Sequence, residues 1–223
     1  MNYNQVNYQF TFGGDMNKND RQDIIINRII DAIFYYLPNK QIEEMTADEI
    51  AHKAEVSKRT LYKYFSSKKE MYLAVVEAAF KDLAGQVEKE QRKVLVADTL
   101  QQIAAIGNAY LRYCFSEPVK ADLVLNYNEM YFIDEYRKRV ESIQQYSNKF
   151  ELSVFIRKYY EETGKKPPFS IESISLYLWS QAQGMASLMQ SKKEWIKEFY
   201  QIDEEKLIEE HMEISKKILG EIK

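Results

Sequence analysis

Residues 56–70 read VSKRTLYKYFSSKKE, with cations at Lys58, Arg59, Lys63, Lys68 and Lys69 and no acid before Glu70. Tyr62, Tyr64 and Phe65 are interleaved with them. The whole chain carries a net charge of −3, so this local positive charge runs against its composition. Cations at this density can neutralise phosphates, and the planar fork of an arginine can also pair with one guanine edge. A run of lysines can equally be a solvated helix face, and Phe65 has the character of a core residue. The flanking residues separate these readings.

Thr46 followed three residues later by Glu49 is a capping box, in which the hydroxyl accepts from the glutamate amide and the carboxylate reaches back to the cap amide. It opens a short helix with Ile50, Ala51 and Ala54 on its inner face. A tight turn follows, and Ser57 caps a third helix with Leu61 and Phe65 four apart on the inside. Ser67 and Glu70 make a second capping box, which opens a long helix to about Lys93. Upstream, Ile25, Ile29, Ile30, Ile33 and Leu37 form the stripe of a first helix from Asp20, which Pro38-Asn39 stops. Three short helices, the last two joined by a tight turn, make a helix-turn-helix. Small inward residues would hold its second and third helices rigidly. The outer face of the third, with Lys58, Arg59, Thr60, Tyr62, Lys63 and Tyr64, could then enter a DNA major groove. Lys68 sits at the next helix start, whose positive end favours phosphate.

Residues 45–76, MTADEIAHKAEVSKRTLYKYFSSKKEMYLAVV, closely resemble the signature of the TetR family of bacterial transcriptional regulators. Thr46, Ile50, Ala51, Ala54, Val56, Ser57, Thr60, Leu61, Tyr62, Tyr64, Phe65 and Lys68 carry the match, which covers Asp20–Leu73. Glu55 stands where the family usually has Gly, and PNKQ replaces the Gly after the first helix. If position 55 needs a positive φ, a side chain there costs roughly 1 kcal/mol. The resemblance implies that Lys58, Arg59, Thr60 and Lys63 read bases or backbone. It implies that Thr46, Tyr62, Tyr64 and Lys68 anchor phosphates. Arg59 is the candidate for a bidentate guanine contact.

The resemblance also predicts an all-α fold, with the N-terminal helix-turn-helix domain joined by a long helix to a larger helical domain for ligand binding and dimerisation. The expected organisation is a polar tail over 1–19, a DNA-binding domain over 20–70 and an effector and dimerisation domain over 71–223. Met16, just ahead of the first helix, is a candidate alternative start. Scarce Gly (7) and Pro (4) disfavour turn-rich β folds. No stretch reaches the ~18–20 apolar residues of a membrane span. A single cysteine excludes an internal disulfide and fits a cytoplasmic protein. Its two histidines form no metal spacing with that cysteine, and no nucleophile elbow, P-loop or dinucleotide fingerprint is present. No catalytic residues, metal or cofactor are expected.

Further helices are expected over Thr99–Phe115, from about Tyr131 to Glu162, from Ser170, and from near Asp203 to Leu219-Gly220. Ile174, Leu178, Ala182, Met185 and Met189, with Leu207, His211, Ile214 and Ile218, recur at spacings that suit a dimer seam, although such stripes also make ordinary intrachain core. In the resembled family the last two helices form a four-helix bundle with a second subunit. The central helices are rich in aromatic and sulfur-bearing side chains. The resemblance suggests an effector pocket there, with Tyr110, Tyr113, Cys114, Tyr131, Phe155, Tyr159 and Tyr177 as candidates, and core packing is the competing role for each. The implied partners are a palindromic operator in double-stranded DNA, a second copy of the chain and a small-molecule effector. The expected function is a repressor released by an inducer. The alternative is a DNA-bound scaffold whose C-terminal domain binds a protein.

Overall fold

Apolar residues three and four apart drive nearly every segment into helix, because only helical spacing puts them on one face. The computed structural model describes residues 18–95 and 98–221, which are all-α. Residues 1–17, most of the expected tail, lie outside them, whereas Lys18 and Asn19 already belong to the first helix. The helices are α1 (Lys18–Tyr36), α2 (Ala47–Lys53), α3 (Lys58–Tyr64), α4 (Lys68–Gln91), α5 (Thr99–Ser116), α6 (Pro118–Asn126), α7 (Ile133–Ser147), α8 (Leu152–Thr163), α9 (Ile171–Tyr200) and α10 (Glu204–Glu221). None among the described residues is long and apolar enough to cross a membrane.

The chain divides into two compact units between Ser66 and Ser67. That point precedes the expected 70/71 boundary, because the cap and first turn of α4 go with the second unit. In the first unit Ile29, Ile33, Ile42, Met45, Ile50, Ala51, Ala54, Leu61 and Phe65 are buried. Lys53 places its ammonium 3.6 Å from the centre of the Tyr35 ring, a cation–π contact between α2 and α1.

In the second unit α5 is the central helix and packs against α4, α6, α8, α9 and α10. Gly107 leaves room for Met212 of α10, whose Sδ would lie 2.7 Å from a Cβ at that position. Acids along α4 are paired by cations of its neighbours: Glu77 with Arg139 of α7 at 2.5 Å, Asp82 with Lys120 of α6 at 2.6 Å, and Glu88 with Lys149 at 2.7 Å. Pro118 follows the end of α5 and occupies the first turn of α6, where its missing N–H costs nothing. One element departs from the sequence expectation: the long helix expected over Tyr131–Glu162 is interrupted by a 3-10 turn at Asn148–Phe150, which separates α7 from α8.

The α2–α3 turn is a Schellman motif. Val56 N–H donates to Ala51 O at 2.9 Å and Glu55 N–H to His52 O at 3.1 Å. This closure requires the left-handed conformation at Glu55, whose φ is 56°, so the cost expected from sequence is present. The Arg28 guanidinium, 3.9 Å from the Glu55 carboxylate and half exposed, offsets little of it. Glu55→Gly should therefore raise stability by about 0.5–1 kcal/mol, the relieved strain exceeding the extra unfolded-state entropy of glycine. Denaturant unfolding of both proteins measures this. A lower midpoint for the glycine variant would contradict the strain assigned to Glu55.

Candidate nucleic-acid interface and cavity

Two caps aim the cationic helix. Thr46 N–H donates to Glu49 Oε2 at 2.8 Å, and Glu49 N–H donates to Thr46 Oγ1 at 3.1 Å, which completes the capping box of α2. The Lys40 ammonium lies 2.5 Å from Glu49 Oε1, and with the two Thr46 hydrogen bonds it holds the Glu49 carboxyl down to about 2. At the start of α3, Thr60 N–H donates to Ser57 Oγ at 3.0 Å, and the two hydroxyls lie 2.8 Å apart. Leu61 and Phe65 turn inward and are almost fully buried.

The opposite side of α3 presents Lys58, Arg59, Tyr62 and Lys63, all exposed, with Thr60 and Tyr64 half-buried at its edges. Their situations differ. Lys58 is paired with Asp48 at 3.0 Å, and that carboxylate raises its pKa. Lys63 lies 5.3 Å from the Tyr64 ring centre. Arg59, in the first turn, makes no hydrogen bond or ion pair among the described residues, so its five donors face water. Thr46 fits the anchoring role expected of it poorly, because its hydroxyl both accepts from Glu49 N–H and donates to Glu49 Oε2 at 3.0 Å. Thr60, expected to read bases or backbone, has its hydroxyl turned back onto Ser57 Oγ. Lys68 is the half-buried first residue of α4 and lies in the second unit.

The second unit holds a partly open cavity of about 570 Å³ beside α5. Leu83, Ile103, Ile106, Leu178, Trp179 and Met212 are among its apolar walls. Of the residues expected to line a pocket, Tyr110 alone does so. Tyr113 is fully buried in core and donates to Ala79 O of α4 at 2.9 Å. Cys114 is buried in the same cluster, and its thiol is pushed up to about 11 by that burial. Tyr159 packs in a second cluster with Ile156 and Ile174, and Phe155 packs against both clusters. Tyr131, 80% exposed, and Tyr177, 46% exposed, face solvent. Aromatic content alone does not distinguish a wall from a core, since both need large apolar side chains.

Three cavity groups are buried without a well-formed hydrogen bond: Tyr110 Oη, Tyr127 Oη and His211 Nε2. Tyr110 lies beside the Cys114 thiol and the Trp179 indole, and burial raises its pKa. Burial also pushes Tyr127 up to about 12 and pushes His211 down, toward neutral imidazole. Tyr127 was legible as one more tyrosine of the aromatic middle region. Trp179 carried no signal of its own, and His211 carried one for another role.

The residues expected to form a dimer stripe on α9 pack within their own chain. Ile174, Ala182 and Met189 are buried, and Leu178 and Met185 pack against the clusters of their own chain. The stripe is the face by which α9 joins its own domain. The outward side of α9 instead carries Leu188, 54% exposed, among the exposed Ser180 and Gly184. On α10, Ile208, Met212 and Leu219 are the buried residues. Ile214 is 56% exposed, and Leu207 and Ile218 are half-buried. His211, expected in that seam, lines the cavity.

From the cavity a continuous set of contacts reaches the start of α4. The Tyr127 ring stacks on Phe132 at 6.1 Å, and Phe132 on Tyr72 of α4 at 5.6 Å. Phe132 O accepts from Tyr136 N–H at 2.8 Å. Tyr136, where α7 departs from helical geometry with ψ 35°, places its hydroxyl 2.8 Å from Ser67 Oγ. Ser67 is the N-cap of α4 and accepts from Glu70 N–H at 3.1 Å.

Residues 29–75 match the family model of bacterial regulatory proteins, tetR family. Compared with curated protein sequences, the chain matches none. Among solved structures it resembles a TetR-like transcriptional regulator from Rhodococcus sp. RHA1, with 14% identity over 92% of this chain and 99% of that one and a TM-score of 0.59. It also resembles the transcriptional regulator FadR from Bacillus subtilis in complex with stearoyl-CoA, with 11% identity over 91% and 100% and a TM-score of 0.61. The TetR family transcriptional regulator PfmR from Thermus thermophilus is similar at 18% identity over 88% and 99%, with a TM-score of 0.59. At these identities the likeness establishes the shared fold, and the match to the bacterial tetR regulatory family is carried by the N-terminal helix-turn-helix segment, residues 29–75.

Proposed function

We propose that the protein is a cytoplasmic repressor that binds a palindromic operator as a homodimer and leaves it when a small molecule occupies the cavity beside α5. The observation that carries this reading is one chain holding both an outward cationic helix face and, in its other unit, a large apolar cavity with unpartnered polar groups. Arg59 is the base reader in this account. Lys63, Tyr62 and Lys68 supply backbone contacts, and Lys58 joins them at the expense of its pairing with Asp48. A two-fold dimer would present its two α3 helices about one DNA turn apart, ~34 Å. The exposed side of α9 at Ser180, Gly184 and Leu188, with Leu207, Ile214 and Ile218 of α10, suits the partner surface. FadR of Bacillus subtilis was solved with stearoyl-CoA, which supports reading the equivalent domain here as the effector domain.

Release would run through Phe132 and Tyr136 to the Ser67 cap, two residues after Phe65 caps the end of α3. A ligand can shift this equilibrium only by its differential affinity for the two arrangements. The scaffold reading draws on one feature, the exposed aromatic cluster at the end of α9, where Trp195 stacks on Phe199 and Tyr200 meets both edge-on. An operator complex that forms normally but recruits a second protein there would favour it.

The base-reading role makes Arg59→Lys informative, because lysine keeps the charge and loses the fork. We expect it to retain non-specific affinity and to lose discrimination at one base pair per half-site by about 1–3 kcal/mol. Titration against operator variants at fixed salt checks this, and a uniform loss across all variants would make Arg59 a phosphate clamp. For the partner surface, Ile214→Glu should leave the monomer folded and split the dimer, since a buried unpaired charge costs several kcal/mol. Sedimentation showing an unchanged dimer would move the seam elsewhere. For the release route, Tyr136→Phe removes one hydrogen bond at Ser67, worth about 1 kcal/mol. It should leave ligand affinity intact and weaken ligand-driven operator release. Unaltered release would exclude that route.

A further inference from the structure

The walls of the cavity beside α5 bear on the chemistry of what fills it. Most of the lining is aliphatic or aromatic, so the ligand must offer a largely apolar body. The charged residues at the lining are Glu151, Glu172 and Lys216, and each is engaged. Glu151 accepts from the Ser153 hydroxyl at 2.9 Å, and Glu172 lies 3.6 Å from the Arg157 guanidinium. Lys216 is paired with Glu213 and donates to Gln101 Oε1 at 3.4 Å. His211 is held toward neutral imidazole by burial. A carboxylate or phosphate entering the cavity would therefore lose its hydration and find one cation, Lys216, already shared with Glu213 and Gln101. The polar groups without a well-formed hydrogen bond are neutral: the Tyr110 hydroxyl, which has only the Cys114 thiol and the Trp179 indole beside it, the Tyr127 hydroxyl and the Nε2 of His211. Phenols donate or accept, and an imidazole nitrogen does one or the other according to its tautomer. Tyr127 lies at the α6 end, where its ring meets Phe80 of α4 at 5.8 Å, and Tyr110 and His211 come from α5 and α10.

We infer that the cavity binds an uncharged, largely apolar molecule carrying carbonyl or hydroxyl oxygens, received by Tyr110, Tyr127 and His211. This rests on reading the cavity as the effector site. The orphaned groups are the price of that specificity: buried donors and acceptors reserved for ligand oxygens lower the stability of the unliganded protein.

Calorimetric titration of the full-length protein with 2-undecanone and with undecanoate at neutral pH tests the inference, with Tyr110→Phe and Tyr127→Phe as variants. The ketone should bind at least about tenfold more tightly than the carboxylate. Each variant should weaken the ketone by about fivefold or more, the range of one buried hydrogen bond. Each variant should also leave the thermal midpoint of the unliganded protein unchanged or raised, because neither hydroxyl makes a well-formed hydrogen bond to lose. Undecanoate binding as tightly as the ketone would overturn the ligand class while leaving the cavity a binding site. Failure of both probes to bind would overturn it as well. A lowered midpoint in both variants would show that the hydroxyls are structural and would also overturn it. Operator release is scored separately. Tight ketone binding without release would support the ligand class and defeat the effector reading on which it rests.

Discussion

Ser67 does two jobs with one hydroxyl. It accepts from Glu70 N–H to cap α4, and it meets the Tyr136 hydroxyl of α7. The position of the α4 N-terminus depends on this cap, whose loss costs a helix about 1 kcal/mol. Chain continuity does the rest, since only Ser66 stands between Ser67 and the Phe65 cap of α3. In the proposed switch, the cationic helix thereby becomes sensitive to α7, and α7 to Phe132 and Tyr127 at the cavity. Interactions of this size suit such a switch: strong enough to bias an equilibrium and weak enough to be overridden by ligand binding.

The helix-turn-helix is built to the opposite specification. Its two caps and the Schellman turn fix α2 and α3 locally, and Ile50, Ala51, Ala54, Leu61 and Phe65 bury their inner faces. The left-handed Glu55 is kept although glycine would relieve it, so the packing around the turn overrides the local preference. Rigidity here matters because a base-reading arginine works only within a small range of position and angle. The charges divide the same way. Lys58 and Lys40 are tied to acids of the same unit, while Arg59 stays open to a ligand.

What was legible in the sequence follows from the range of the interactions involved. The capping box at Thr46, the side-chain caps at Ser57 and Ser67, the inward Leu61 and Phe65 and the strained turn at Glu55 were readable, because all depend on residues within a few positions of each other. The α9 stripe was readable as apolar but not as intrachain, since periodicity reports a buried face without saying against what. The pocket was the least legible part. Tyr113 and Tyr127 are similar in sequence terms, yet one donates to Ala79 O and the other is left without a partner, a difference set by long-range packing. The Thr46 and Thr60 hydroxyls show the converse. Residues that match a family signature can be occupied by local capping and so have little left for DNA.

The central claim is that cavity occupancy and the placement of the helix-turn-helix units are linked. Pulsed electron-spin distance measurement tests it most directly, with a spin label at exposed His52→Cys on α2 and the buried Cys114 left unlabelled. Bound to operator, the dimer should give one narrow distance distribution between its two labels. Addition of 2-undecanone should shift or broaden that distribution as operator is released. Release with an unchanged distribution in the free dimer, or a shift equal in Tyr136→Phe and the parent protein, would contradict the account.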